Sequence, residues 1–192
     1  MNYLEGLNPA QQAAVLQTKG PVMIIAGAGS GKTRVITMRV AHLVASGVDA
    51  FNILVLTFTN KAAREMRERI MHVVGAEAKN IWMGTFHSVF AKLLRVEADK
   101  IGYPSNFTIY DTDDSKSVLR AILKEMALDD KLYNPNFVHN RISASKNNLI
   151  SWQEYQQNEQ IQADDHSTGR QHIGKIYETY VNRCFRAGAM DF

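Results

Sequence analysis

To hold a triphosphate, a chain needs consecutive backbone N–H groups turned inward, an ammonium that can reach over them, and a hydroxyl for a phosphate-bound magnesium. The run Ala26-Gly27-Ala28-Gly29-Ser30-Gly31-Lys32-Thr33 supplies all three in order. Glycines let successive amides point into one concavity without a Cβ clash. A helix opening near Gly31 brings the positive end of its dipole to the same spot. Lys32 is then placed to meet the outer phosphates as a point charge. Thr33 can take one position on Mg2+, and Arg34 follows in the same first turn. The first glycine of the GxxxxGK[ST] pattern is replaced here by Ala26, at a strand end where a methyl group fits.

Such a loop works only between a strand and a helix. The apolar run Val22-Met23-Ile24-Ile25 before it predicts the strand, and residues 34–40 after it predict the helix. Four apolar runs, at residues 22–25, 53–58, 81–85 and 107–110, alternate with helical patterns, which predicts a parallel sheet. Ile53-Leu54-Val55-Leu56 is apolar on both faces, as in a central strand covered by helices on each side. Asn60 is the expected N-cap of the next helix, whose buried face carries Ala62, Met66 and Ile70. From about Thr112 the strand signal disappears. Val118, Leu119, Ile122, Leu123 and Met126 share a helical face, with Thr112, Asp113 or Asp114 as capping residues. Further helix starts are predicted at Asn134-Pro135-Asn136 and at Ser151-Trp152. Residues 153–165 are polar and Gln-rich and read as an exposed helix or mobile loop. Ile173, Ile176, Tyr177, Tyr180, Val181 and Phe185 make a last amphipathic helix.

Bulk properties narrow the class. A length of 192 residues with 45% hydrophobic content suits one domain or a domain with an insertion. No stretch approaches the roughly 18 consecutive apolar residues of a membrane span, and the first residues lack a signal-peptide pattern, so the expectation is a cytoplasmic protein with no membrane partner. Cys184 is the only cysteine, which excludes an intrachain disulfide and a thiolate zinc site. The net charge of +3 is unevenly spread: residues 1–110 carry 12 Lys+Arg against 7 Asp+Glu, and residues 111–192 carry 10 against 12. A basic surplus beside a phosphate loop is compatible with a nucleic-acid partner.

Leu7-Asn8-Pro9-Ala10-Gln11, the phosphate loop, Thr57-Phe58-Thr59-Asn60-Lys61-Ala62-Ala63 and Gly84-Thr85-Phe86-His87-Ser88 follow one another in an order and spacing that resembles the UvrD/Rep/PcrA group of superfamily-one DNA helicases. The resemblance covers the whole chain. It implies an α/β fold, a RecA-like P-loop parallel sheet with helices on both faces, plus an inserted all-helical subdomain. Residues 1–111 would be the first part of the motor domain, 112–188 the insertion, and 189–192 the return to the sheet. It also implies ATP with Mg2+ as substrate and single-stranded DNA as partner, with movement 3′ to 5′. By similarity Gln11 reads the adenine through its amide fork. Nucleotide contacts run through Ala26, Gly27, Ala28, Gly29, Ser30, Gly31, Lys32, Thr33 and Arg34, with Lys32 and Thr33 in the catalytic roles. Phe58 is placed near DNA bases, Asn60 near the DNA backbone, and Thr85 and His87 where they can donate to its phosphates, with Thr57 also among the DNA contacts and Phe86 facing inward between Thr85 and His87. A DNA contact by Lys146 or Asn147 competes with a solvated helix end.

Hydrolysis also needs a carboxylate on magnesium, a group to orient water and an arginine for the transferring phosphoryl. The apolar strand ending in Asp-Glu, the water-positioning glutamine and the second motor domain that the resemblance implies do not occur in these residues. The chain therefore reads as an amino-terminal piece, inactive by itself in unwinding. The rival reading is a complete small P-loop phosphotransferase, in which Phe107-Thr108-Ile109-Tyr110-Asp111 is the magnesium-holding strand and Asp111 the ligand. A non-catalytic nucleotide- or DNA-binding module is the third.

Overall fold

The computed structural model describes residues 3–191, which divide into two compact units, one ending at Leu93 and the other beginning at Leu94. In the first, Asn8 and Gln11 form a reciprocal capping box that starts α1 (Pro9–Leu16), with Pro9 in the first turn where its missing N–H costs nothing. Then come α2 (Lys32–Ala45), β1 (Leu54–Thr57), α3 (Asn60–Val74), β2 (Trp82–Thr85) and α4 (Phe86–Glu97), which runs across the boundary at Leu93. Strands β1 and β2 are parallel, with Leu54 opposite Trp82 and Thr57 opposite Thr85. This register sets the carboxyl ends of both strands level. Val40, Ile53, Val55, Met66, Ile70, Ile81 and Met83 form the core between sheet and helices, and Leu7, Val15 and Val35 form a smaller cluster with α1.

The turn from β2 into α4 is tight. A Cβ on Gly84 would stand 2.6 Å from Ser88 Oγ and 2.9 Å from Val89 Cγ2, so only glycine lets the helix begin directly on the strand end. Thr85 then caps α4, its Oγ1 accepting from the Ser88 N–H at 3.2 Å while Ser88 Oγ donates to the Thr85 carbonyl at 3.0 Å.

Four local expectations are corrected. The run at residues 22–25 belongs to neither sheet, and its Met23 and Ile25 are 85% and 86% exposed. An apolar pattern makes a strand only where a neighbour offers a hydrogen-bonding ladder, and no strand among the described residues pairs with it. On β1, expected to be covered on both faces, Val55 is buried but Leu54 on the other face is 49% exposed. The cap of α3 is Thr59, whose side chain accepts from the Ala62 N–H at 3.2 Å, and Asn60 is already helical. On the face predicted from Ala62, Met66 and Ile70, the latter two are buried and Ala62 is exposed.

The second unit holds β3 (Thr108–Tyr110), α5 (Thr112–Glu125), α6 (Pro135–Asn147), α7 (Trp152–Gln157), α8 (Glu159–Ser167), α9 (Ile173–Arg186) and β4 (Ala189–Asp191). Asn134 and Ser151 cap α6 and α7, where the sequence placed helix starts. Strands β3 and β4 pair in parallel, Thr108 with Ala189 and Tyr110 with Asp191. The compact unit thus starts before residue 112, because the strand leading into the helices pairs with the strand leaving them. Leu119, Ile122, Leu123, Val138, Ile142, Tyr155, Ile173, Ile176 and Tyr180 make its core. Residues 153–165, expected as an exposed helix or mobile loop, are helical, in α7 and most of α8, and largely exposed, but they bury Tyr155 and Asp165. Among the described residues no helix is long and apolar enough to cross a membrane.

Candidate functional site

The phosphate-loop residues stand at the start of α2, with Gly31 as its N-cap and no side chain on the first-turn amides. Gly29 and Gly31 take φ values of +75° and +83°, the left-handed region that glycine alone enters without strain. Residues 26–30 are exposed, and Ser30 Oγ closes the turn by donating to the Gly27 carbonyl at 2.7 Å. Lys32 Nζ donates to the Ala26 and Gly27 carbonyls at 2.7 and 2.6 Å. Its ammonium therefore lies against the loop itself, held by groups that an anion can outcompete.

Gln11 joins this loop from α1. Its Oε1 accepts from the Asn8 N–H at 3.0 Å, and its Nε2 donates to the Ser30 carbonyl at 3.0 Å. A primary amide offers two N–H bonds and two lone pairs, so one donor and one acceptor are left over, the complement of an adenine edge. Capping α1 thus does not use up the hydrogen-bonding capacity of the Gln11 amide. Arg34 Nη2 donates to the Glu5 carbonyl at 3.2 Å. It also lines a cavity of about 430 Å³ between α2 and α3, with Thr37, Met38, Arg69 and His72.

Thr33 brings its hydroxyl to the first turn of α2, next to Lys32. Among the described residues no three His, Cys, Asp or Glu side chains group closely enough to hold a metal. These donors fit an ion that arrives with a polyphosphate, whose oxygens and waters complete its shell, and they do not form a dedicated cage. Asp111, the rival's magnesium ligand, is engaged otherwise. Its Oδ1 accepts from the Asp113 and Asp114 N–H groups at 2.8 and 2.9 Å, and the Asp114 carboxylate returns a bond to the Asp111 N–H, a capping box that starts α5. The residues expected as caps were Thr112, Asp113 or Asp114; the cap lies one residue before them.

At the level carboxyl ends of β1 and β2 the predicted DNA residues come together. Thr57 Oγ1 donates to the Thr59 carbonyl at 3.2 Å, and Phe58 is 90% exposed, which rules out a core role for its ring. Asn60, relieved of capping by Thr59, is exposed in the first turn of α3. Thr85 is buried and has one hydroxyl proton beyond the Ser88 bond it accepts, and His87 is exposed two residues on. Phe86 does not face inward: its ring lies 5.4 Å from that of Phe58, centroid to centroid.

Lys146 is held elsewhere. Its Nζ donates to both oxygens of Asp191, at 2.5 and 2.7 Å, and the Tyr180 hydroxyl donates to the same carboxylate at 2.8 Å. This ties α6 and α9 to β4. A second polar group that the sequence reading passed over sits within the helices: buried Asp165 accepts from Tyr155 OH at 2.6 Å and from Arg141 at 3.1 Å, while Arg141 Nε donates to the Tyr155 oxygen at 3.0 Å. Burial pushes the Cys184 thiol above its ordinary pKa, which favours its protonated form.

The family described as the UvrD/REP helicase N-terminal domain matches residues 7–192. Similar curated proteins include the ATP-dependent DNA helicase PcrA of Bacillus subtilis, 44% identical over 198 residues, covering 100% of this chain and 26% of that protein. The ATP-dependent DNA helicase PcrA of Staphylococcus epidermidis is 45% identical over 194 residues, covering 100% of this chain and 26% of that protein. The ATP-dependent DNA helicase UvrD1 of Mycobacterium tuberculosis is 44% identical over 191 residues, covering 98% of this chain and 24% of that protein. The chain thus spans about a quarter of the length of these relatives. With a loop of left-handed glycines tied to Gln11 and a match that runs from Leu7 onward, this chain belongs to the UvrD/REP helicase N-terminal domain family.

Proposed function

We propose that these residues form the ATP-cradling and single-strand-contacting part of an ATP-dependent 3′–5′ DNA helicase working in the cytoplasm. Residues 1–111 begin its motor domain, residues 112–188 form a helical insertion, and residues 189–192 start the return. Gln11 and residues 26–34 hold ATP, Lys32 meets the outer phosphates, and Thr33 takes one position on the accompanying Mg2+. The magnesium neutralises charge on the phosphates. Thr57, Phe58, Asn60, Thr85 and His87 contact single-stranded DNA at the paired strand ends, where ligands gather in parallel sheets. The observation that carries the reading is the Gln11 amide bonded to Ser30, since it links a base-edge reader to a phosphate cradle across 19 residues.

Phosphoryl transfer needs carboxylates that this stretch does not contribute, with Asp111 serving as a helix cap. The 192 residues alone are therefore expected to show little ATP hydrolysis and no unwinding. The full-length protein carrying them is expected to hydrolyse ATP faster when single-stranded DNA is added. A steady-state phosphate-release assay on both, with and without a thymidine oligomer, checks this. Vigorous DNA-stimulated turnover by the 192 residues alone, or no stimulation of the longer protein, overturns the proposal.

A further inference from the structure

Next to Phe58 stand two more rings to which the helicase reading assigns no role. Phe86 and Phe90 are 40% and 45% exposed, and both lie on α4. They are four residues apart, so one face of the helix carries both. Val89 and Ala91, on either side of that face, are buried, while the two phenylalanines between them stay partly open to solvent. The Phe86 ring sits 5.4 Å from that of Phe58 and 6.3 Å from that of Phe90, the latter pair inclined by only 28°. Three adjoining exposed aromatics form the kind of patch that marks a binding surface.

The surroundings favour a polyanion with flat apolar groups. Residues 1–93 carry ten Lys+Arg against five Asp+Glu. The first turns of α3 and α4 begin at Asn60 and Phe86, so two positive helix ends open beside the rings. Ring spacings of 5.4 and 6.3 Å exceed the roughly 3.4 Å rise of a duplex strand, so bases laid along them must be unstacked, as only a single strand allows. Aromatic faces accept any base, which suits a protein that moves along DNA without reading it.

We propose that Phe58, Phe86 and Phe90 form one continuous stacking track, and that Phe86 and Phe90 carry the bound single strand beyond Phe58 along α4. This rests on the single-strand reading of the β1 and β2 ends. The test uses the full-length protein and two fluorescent oligomers of equal length, one of thymidine and one of abasic sugar-phosphate, with binding followed by anisotropy. Phe90→Leu and Phe86→Leu keep an apolar side chain of similar size and remove the ring face. Each is expected to weaken thymidine-oligomer binding about tenfold while leaving abasic-oligomer binding unchanged. Equal weakening for both oligomers would mean that the rings pack against protein, and it overturns the track. Unaltered binding by both variants, with loss in Phe58→Leu, ends the platform at Phe58 and also overturns the track while sparing the single-strand reading. Failure of the unsubstituted protein to bind either oligomer overturns both.

Discussion

Replacing Lys32 by alanine is expected to lower ATP hydrolysis by the full-length protein about 10²- to 10³-fold and to leave its fold intact. Transferring phosphoryl groups gather negative charge, and a fixed cation at that point typically contributes this much. Backbone amides of the loop remain in the variant, so nucleotide binding falls less than turnover. The fold should not notice the change, because Lys32 is exposed and its recorded partners are the carbonyls of Ala26 and Gly27, which water can serve equally well. Phosphate release measured beside thermal unfolding separates the two effects. Turnover within tenfold of the unsubstituted protein would remove Lys32 from its assigned role, and a large fall in melting temperature would make it structural.

The geometry of residues 26–33 was legible in the sequence because it is local. Left-handed backbone at Gly29 and Gly31, the helix opening at Lys32 and the capping box of Asn8 with Gln11 are each decided within a few residues. Strand pairing is not decided locally. The run at residues 22–25 has the composition of a strand but no ladder partner among the described residues, and a sequence reading has no access to that.

Phe86 failed for another reason. Alternation along β2 predicts a ring facing inward, but the strand ends at Thr85 and α4 begins at the next residue, so the side-chain period changes from two to 3.6 at that point. The cap of α3 moved from Asn60 to Thr59 because Thr59 has the extended backbone a cap requires, φ −121° and ψ 148°, and either residue type can do the work. In the second unit the Gln-rich composition of residues 153–165 masked a buried acid. A lone Asp165 among polar neighbours looks solvated until Tyr155 and Arg141 are seen to enclose it.

That enclosure makes the helical unit sensitive to one side chain. The Asp165 carboxylate is 4% exposed and bonded to both Tyr155 and Arg141, and Arg141 also reaches Asp164 at the surface. Asp165→Ala leaves a buried hydroxyl short of an acceptor and a guanidinium short of its inner partner. Breaking such a pair costs about 3 kcal/mol, and Asp164 recovers part of the arginine's share. Urea unfolding followed by Trp152 fluorescence in a Trp82→Phe background reads this unit separately. A change below about 0.5 kcal/mol, the usual range of a surface substitution, would mean that the network contributes nothing. The same site sets an alkaline limit. Burial, reinforced by the bond to Asp165, raises the Tyr155 pKa well above its ordinary value, and Arg141 opposes this only in part. In the unfolded chain the phenol loses its proton from about pH 10, whereas the folded chain retains it, so the contribution is complete below pH 10 and declines as pH rises. Tyr180 is raised by burial as well and keeps its own decline. Tyr155→Phe is therefore expected to reduce the slope of stability above pH 10 by one proton, about 1.4 kcal/mol per pH unit, without abolishing it. An unchanged slope in that variant would show that Tyr155 ionises as readily in the folded protein as in the unfolded chain.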